Sequence, residues 1–452
     1  VEFEKAMRDS RLRRVGLALA LAVCLAACER AEPASEPASA IADPAPTPEV
    51  RGASPPKIAT GHELPGRFRP APRRAASAPQ SEEQKRRVEK LRAIGYLSGS
   101  QPARAAGITI HDPEKAYAGF NFFTSGHVEG ALLMDMDGEV LHEWRYRFPD
   151  AFERDPSPMP GKRKDWWRRA YLFPNGDVLA IIAGSGLLKI DKNSQLLWAK
   201  AIYSHHDLAI APNGDLYLLT RRVHVVPRVN EKQPIVEDRV VVLDSEGNEK
   251  RSFSLLEAFE NSEFADVWRK SGRTNGDIFH TNSIELFDGS VADANPAFKA
   301  GNLLISVLHL NAIAVVDPEQ EKVVWAHTGE YRQQHDPKIL PNGNLLLFDN
   351  RGRRRSSAIL EFDPRTMALA WEYRGSKEQP FFSRTCGTSE RLPNGNTLVS
   401  ETDFGRAFEV TPGGEIVWEY YNPHRAGEDD QFIASLPELI RLPPDFPSDW
   451  LD

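Results

Sequence analysis

From about residue 108 onward the chain alternates short apolar runs with tight polar turns, and it does so in one repeating phrase. An apolar run meets a turn centred on Asn-Gly or Asp-Gly; two further runs follow, the second ending near an aspartate. A polar turn then leads to a last run that closes on tryptophan. The first turn reads "FPNGD" (173–177), "APNGD" (211–215), "LFDGS" (286–290), "LPNGN" (340–344) and "LPNGN" (392–396). Asn-Gly and Asp-Gly tolerate positive φ, which suits tight hairpins between antiparallel strands. The second half of the phrase closes on Trp144, Trp198, Trp325, Trp371 and Trp418, and one copy, "VVVLDSEGNEKRSF", ends in Phe253 instead. Aromatics repeated at one register read as packing between neighbouring units rather than as a ligand-stacking surface.

Six phrases of about 50 residues, each with four short strands, predict an all-β fold, a six-bladed β-propeller over residues 108–425. Each four-stranded sheet leaves an apolar face that only a neighbouring blade can cover. The first unit, Tyr117–Trp144, lacks an Asn-Gly turn. Its missing strand is expected either from Gly107–His111 or from the segment after Trp418. The tail, 426–452, has no repeat character.

In a propeller the first strand of each blade lines the central channel, so residues at one register form a ring on one face. Counting back seven positions from the Asn or Asp of each turn gives Arg168, His206, Thr281, His335 and Gly387. His280 stands one place before Thr281, and a one-residue insertion in that blade would bring it into the ring. The histidines are 74 and 55 residues apart along the chain, and the repeat alone gathers them. Neutral imidazole is a nucleophile, a general base and a metal ligand near neutral pH. With Arg168 beside it, such a ring suits an anionic substrate. Histidines that merely cap inner strands are the bland alternative. Convergent histidines holding Zn²⁺ are a minor alternative, since no histidine pair has local metal-ligand spacing such as H-x-x-x-H; no cofactor is expected. Asp207 and Asp336 directly follow ring histidines, and adjacent strand residues face opposite ways; they are expected to point away from the imidazoles. Cys386 reads as a small buried apolar group. The basic run Gly352–Ser356 reads as a solvated hairpin.

The stretches "HHDLAIAPNGDLYLL", "FHTNSIEL", "QHDPKILPNGNLLLFDN" and "LPNGNTLVSETDFGRAFEVTPGGEIVWEY" together resemble the bacterial arylsulfate sulfotransferases, over residues 168–422. The resemblance implies a six-bladed propeller that moves a sulfuryl group from an aryl sulfate to a phenol without the nucleotide donor 3′-phosphoadenylyl sulfate. It implies a covalent role for His335 and assisting roles for His206 and His280. Arg168, Asn282, His309 and Arg351 are the candidate substrate-binding residues. One departure stands out. The family's sulfate-binding arginine falls on Leu308, followed by His309, which removes a bidentate oxyanion clamp; Arg168, Arg222, Arg351 and Arg384 remain to supply that charge. A sulfate-ester hydrolase, a non-catalytic ligand-binding propeller and a quinone-dependent dehydrogenase propeller are the alternatives. The natural donor, the acceptor and the oligomeric state are left open.

The first hundred residues carry address rather than fold. "MRDSRLRRVGLALALAVCLAAC" has a basic start, an apolar run of signal-peptide length, and small residues before Cys28. It reads as a lipoprotein signal, 1–28, with a start at Met7 and Cys28 lipidated after cleavage. Cleavage removes five basic and three acidic residues and takes the formal charge from −8 to −10. An acidic chain is not expected to bind nucleic acid. Residues 29–80, rich in Pro, Ala and Ser, read as a disordered tether, and 81–97 as a short amphipathic helix. A lipid-anchored protein of the bacterial cell envelope is expected, with small-molecule partners and the membrane at its anchor.

Overall fold

The computed structural model describes residues 105–152, 166–293, 295–352, 356–426, 430 and 432–451. The signal sequence, Cys28, the tether and the helix expected at 81–97 lie outside the described residues, as do Arg353, Arg354 and Arg355 of the basic run. The described chain is a six-bladed β-propeller of antiparallel sheets. The inner strands of blades two to six are Arg169–Leu172, Ser204–Ile210, Thr281–Leu286, His335–Ile339 and Thr388–Arg391. Each is followed outward by three strands in sequence order.

Blade one is assembled from both ends of the fold. Its three outer strands, Phe120–Thr124, Gly130–Met134 and Val140–Arg145, are consecutive. Its inner strand is Glu438–Leu442, paired with Phe120–Thr124 from Phe120↔Leu442 to Thr124↔Glu438. The segment after Trp418 therefore supplies the missing strand, and the sheet system runs past the boundary expected at 425. Gly107–His111 goes elsewhere, as a fifth, outermost strand on Ile416–Tyr421 of blade six. The ring is thus closed twice, from inside and from outside.

Stability comes from the gaps between blades. Six apolar clusters fill the six gaps. Leu179, Ile181 and Leu187 of blade two, for example, meet Leu216, Leu218 and Val241 of blade three. Each fully buried Leu, Ile or Phe stabilises the fold by roughly 1.5–3 kcal/mol. The closing tryptophans tie adjacent blades. Trp144 Nε1 donates to Gly176 O (2.9 Å), Trp371 Nε1 to Pro412 O (2.9 Å) and Trp418 Nε1 to Met136 O (3.0 Å). Each acceptor is on the next blade, so the repeated aromatics serve packing.

The described residues also contain three short helices, Phe148–Ala151, Leu255–Glu260 and Ala265–Arg269. The last two lie in a detour between blades three and four. None of the described helices is long and apolar enough to cross a membrane.

Candidate active site

The ring expected from the register forms. Arg168, His206, His335 and Gly387 line one narrow cavity at the start of the inner strands, with Asn282 there in place of the expected Thr281, Arg169 and Asp336 also on its wall, and Pro437 leading in from blade one. His280 joins them: its ring centroid is 4.9 Å from that of His206. The pairing of blade four shifts between Thr281 and Ser283, which leaves one extra residue in its inner strand. Comparable shifts interrupt the inner strands of blades three and five. His206, His280, Asp336 and Cys386 all have positive φ, between +49° and +60°. Each such residue costs roughly 1–3 kcal/mol of strain, and bulges of this kind re-aim side chains near sites. Gly387, at φ +118°, has no alternative, because a Cβ there would lie 2.4 Å from the Phe348 ring.

His335 is held in one tautomer. Its Nδ1 lies 2.9 Å from Gln333 O and 2.8 Å from Asn350 Oδ1. The Asn350 amide is itself fixed, since its Nδ2 donates to Ser383 O and Cys386 O. Both partners of Nδ1 are therefore acceptors; Nδ1 carries the proton and Nε2 the lone pair, which is left to face the Cys386 thiol. His206 bonds through Nδ1 to Nδ1 of His205, at 2.8 Å. Burial, with the Arg168 cation next in weight, holds His206 well below the usual imidazole range; His206 is neutral at pH 7.

Charge enters the site from two arginines. The Arg168 guanidinium makes no hydrogen bond or ion pair with any of the described residues, yet its field is felt at His206 and Cys386. Arg221, which sequence reasoning passed over in favour of Arg222, sits within the histidine cluster. Its Nε donates to Asp238 Oδ1 (3.1 Å), and its Nη2 lies 3.6 Å from Asp277 Oδ2 without a hydrogen bond. Arg222 and Arg384 are exposed. The signal for Arg221 was present in the repeat. The fifth residue beyond the start of each second strand is Ala183, Arg221, Leu308, Asn350 and Thr402 in blades two to six. Leu308 brings no charge to blade four, and the preceding blade carries a guanidinium, Arg221, at the equivalent place. His309, beside Leu308, reaches the cluster, 5.1 Å from His280 between ring centroids.

Arg351 is not in the ring cavity. It lines an open cavity of ≈ 960 Å³ with Arg332, Gln333, Asn311 and Phe382. Gln333 links the two, since its carbonyl holds His335. Asn282 donates to Gln334 O (2.8 Å) and keeps its buried Oδ1 unpartnered.

Below the histidines, Asp207 and Asp336 turn away from the imidazoles. Both grip Arg169, at 2.5 and 3.4 Å, and Glu438 adds a third contact at 3.1 Å. Cys386 differs from the apolar thiol expected. Burial pushes its thiol up, but Arg168 and a hydrogen bond to His335 outweigh that and bring it down to about 6.

Solved structures similar to the chain lie at low identity. One is a protein of unknown function from Bacteroides caccae, at 11% identity, covering 71% of this chain and 98% of its own, TM-score 0.47. Others are a streptogramin B lyase (15%, 76% and 96%, TM-score 0.42) and the virginiamycin B lyase of Staphylococcus aureus (13%, 75% and 95%, TM-score 0.40). No curated protein sequence matches. Residues 169–423, more than half of the chain, match the family described as arylsulfotransferase (ASST). That span holds His206, His280 and His335, and the chain belongs to the arylsulfotransferase family.

Proposed function

We propose that the protein transfers a sulfuryl group from an aryl sulfate to a phenol through a sulfohistidine at His335, with no nucleotide donor. The observation that carries this reading is the fixed tautomer of His335, whose Nε2 lone pair stands beside Cys386 while His206 and Arg168 line the same cavity. In the first half-reaction Nε2 attacks sulfur; the N–S bond forms and the S–O bond to the aryl group breaks. The aryl oxygen leaves as a phenolate, its charge met by Arg168. In the second, neutral His280 takes the acceptor's proton on Nε2, the new S–O bond forms and the N–S bond breaks with its electron pair returning to His335; the proton then passes to the released phenolate or to solvent. Like phosphoryl transfer, the reaction has a loose transition state with charge on the equatorial and leaving oxygens. Positioned cations then do most of the work, each well-placed donor being worth roughly 3 kcal/mol. Arg168, without a side-chain partner among the described residues, can meet those oxygens, and the cavity lined by Arg332, Arg351, Phe382 and Glu330 offers an aromatic ring and two guanidiniums to an aryl partner.

The test is intact-protein mass spectrometry after brief exposure to a chromogenic aryl sulfate, alongside turnover with and without phenol. The expected result is a gain of one SO₃ on His335, phenol-dependent release, and no activity in His335→Ala. Turnover independent of phenol would make the protein a hydrolase. Saturable binding with no mass gain would make it a binding propeller.

A further inference from the structure

Between blades three and four the chain leaves the repeat. After Leu255–Glu260 and Ala265–Arg269, the two-residue strand Gly276–Asp277 pairs in parallel with the start of Ile235–Leu243, Gly276 turning at φ +64°. The detour ends by delivering a carboxylate three residues before His280. Asp277 Oδ2 lies 2.6 Å from His280 Nδ1, and Asp277 O lies 2.8 Å from His309 Nδ1. A carboxylate and a carbonyl only accept hydrogen bonds, so both imidazoles carry the proton on Nδ1 and keep Nε2 as a lone pair.

We propose that Asp277 is the positioning residue of the proton-transfer step: it fixes His280 and His309 in one tautomer and stabilises the imidazolium that His280 becomes. Its place in catalysis rests on the sulfuryl-transfer reading; the tautomers do not. The carboxylate is ionised across the neutral range. Burial pushes it up, but the His280 hydrogen bond and Arg221 prevail and hold it at about 2. The charged and titratable groups facing this cluster are Arg221 and Asp238 from blade three, His205 and His206 from its inner strand, and Arg273 from the detour. Ligand atoms of Asp277, His280 and His309 lie within 4.8 Å of one another, a span that a divalent cation could also bridge. Arg221 already supplies positive charge beside that carboxylate, and the 2.6 Å contact is a hydrogen-bond length.

The experiment is nitrogen NMR on the full chain labelled with ¹⁵N-histidine, assigned by His280→Gln and His309→Gln, together with pH–rate profiles of Asp277→Asn and Asp277→Glu. His280 and His309 should both show an unprotonated Nε2. Asp277→Asn should lower kcat by roughly 10²- to 10⁴-fold with little change in KM. It should also move the acid limb of kcat/KM to lower pH, because the imidazolium loses its counter-charge; Asp277→Glu should recover part of the rate. A proton on Nε2 of His280 in the wild type, or an Asp277→Asn profile matching the wild type, overturns the proposal. So does a metal that copurifies stoichiometrically and binds through these histidines. If the tautomers are as stated but no sulfuryl transfer occurs, the functional reading falls and the positioning of His280 stands.

Discussion

Cys386 shows how much a side chain owes to what stands beside it. Buried thiols normally resist ionisation, but here the Arg168 cation and the His335 hydrogen bond draw the group down to about 6. It is therefore largely thiolate at pH 7.5, half-buried next to the proposed nucleophile. Alkylation by iodoacetamide, followed by peptide mass spectrometry, should rise through about pH 6 and plateau by pH 7.5. An ordinary thiol would still be climbing at pH 8.5. A saturating aryl sulfate should slow the reaction, because its anionic group competes for Arg168. A midpoint above pH 8 would remove Arg168 and His335 as the cause. The contrast with Asp207 and Asp336 is instructive. Those carboxylates neighbour the ring histidines in sequence, and the backbone turns them toward Arg169 instead.

At the scale of elements, the inner strands carry two layers with different jobs: histidines at the mouth and an ion network beneath. Arg169 and Lys338 face Asp207, Asp336, Glu285 and Glu438 in that lower layer. Burial pushes Glu285 up to about 7, and Glu285 Oε2 has no hydrogen-bond partner. Because its folded value exceeds the unfolded one, the native state holds a proton that the unfolded chain releases. Its contribution is complete below about pH 4.5 and is lost as pH rises through about 7. Glu285→Gln should therefore leave stability unchanged near pH 4.5 and raise it at pH 8 by roughly 1–3 kcal/mol, read by urea melts at both pH values. An equal effect at both would exclude burial of charge as the reason. The phrase pattern made most of these strands legible, down to the ring register, because hairpin chemistry and the period of two are local. The long loop carrying Asp277 was not legible. Its helices span six and five residues, too short for an apolar stripe to declare itself, and the two-residue strand that sets Asp277 depends on a parallel pairing that no local signal encodes. Arg221 was legible in principle from its offset within the second strand, whereas Arg222 stood only among four arginines able to supply the missing charge.

At the scale of the molecule, closure is the feature on which the ring depends. Glu438–Leu442 completes blade one from the inside, and Glu438 also grips Arg169 one blade away. Removing residues 438–442 should open the propeller between blades one and six. The expected outcome is loss of the cooperative thermal transition and of any histidine-ring chemistry, with the blade-one face exposed. A synthetic peptide of that sequence should restore part of both by adding a strand to the open edge. Retention of a normal melt by the truncated chain would show that the other five gaps suffice. In the cell, this arrangement times the protein's maturation: until residues 438–442 are in place, five blades can pack, but the pore has no innermost wall beside Phe120–Thr124 and Arg169 lacks the third of its acidic partners, Glu438. Reactive imidazoles are thus brought to order only after the strand that seals the circle has emerged, so a nascent chain carries its chemistry in pieces.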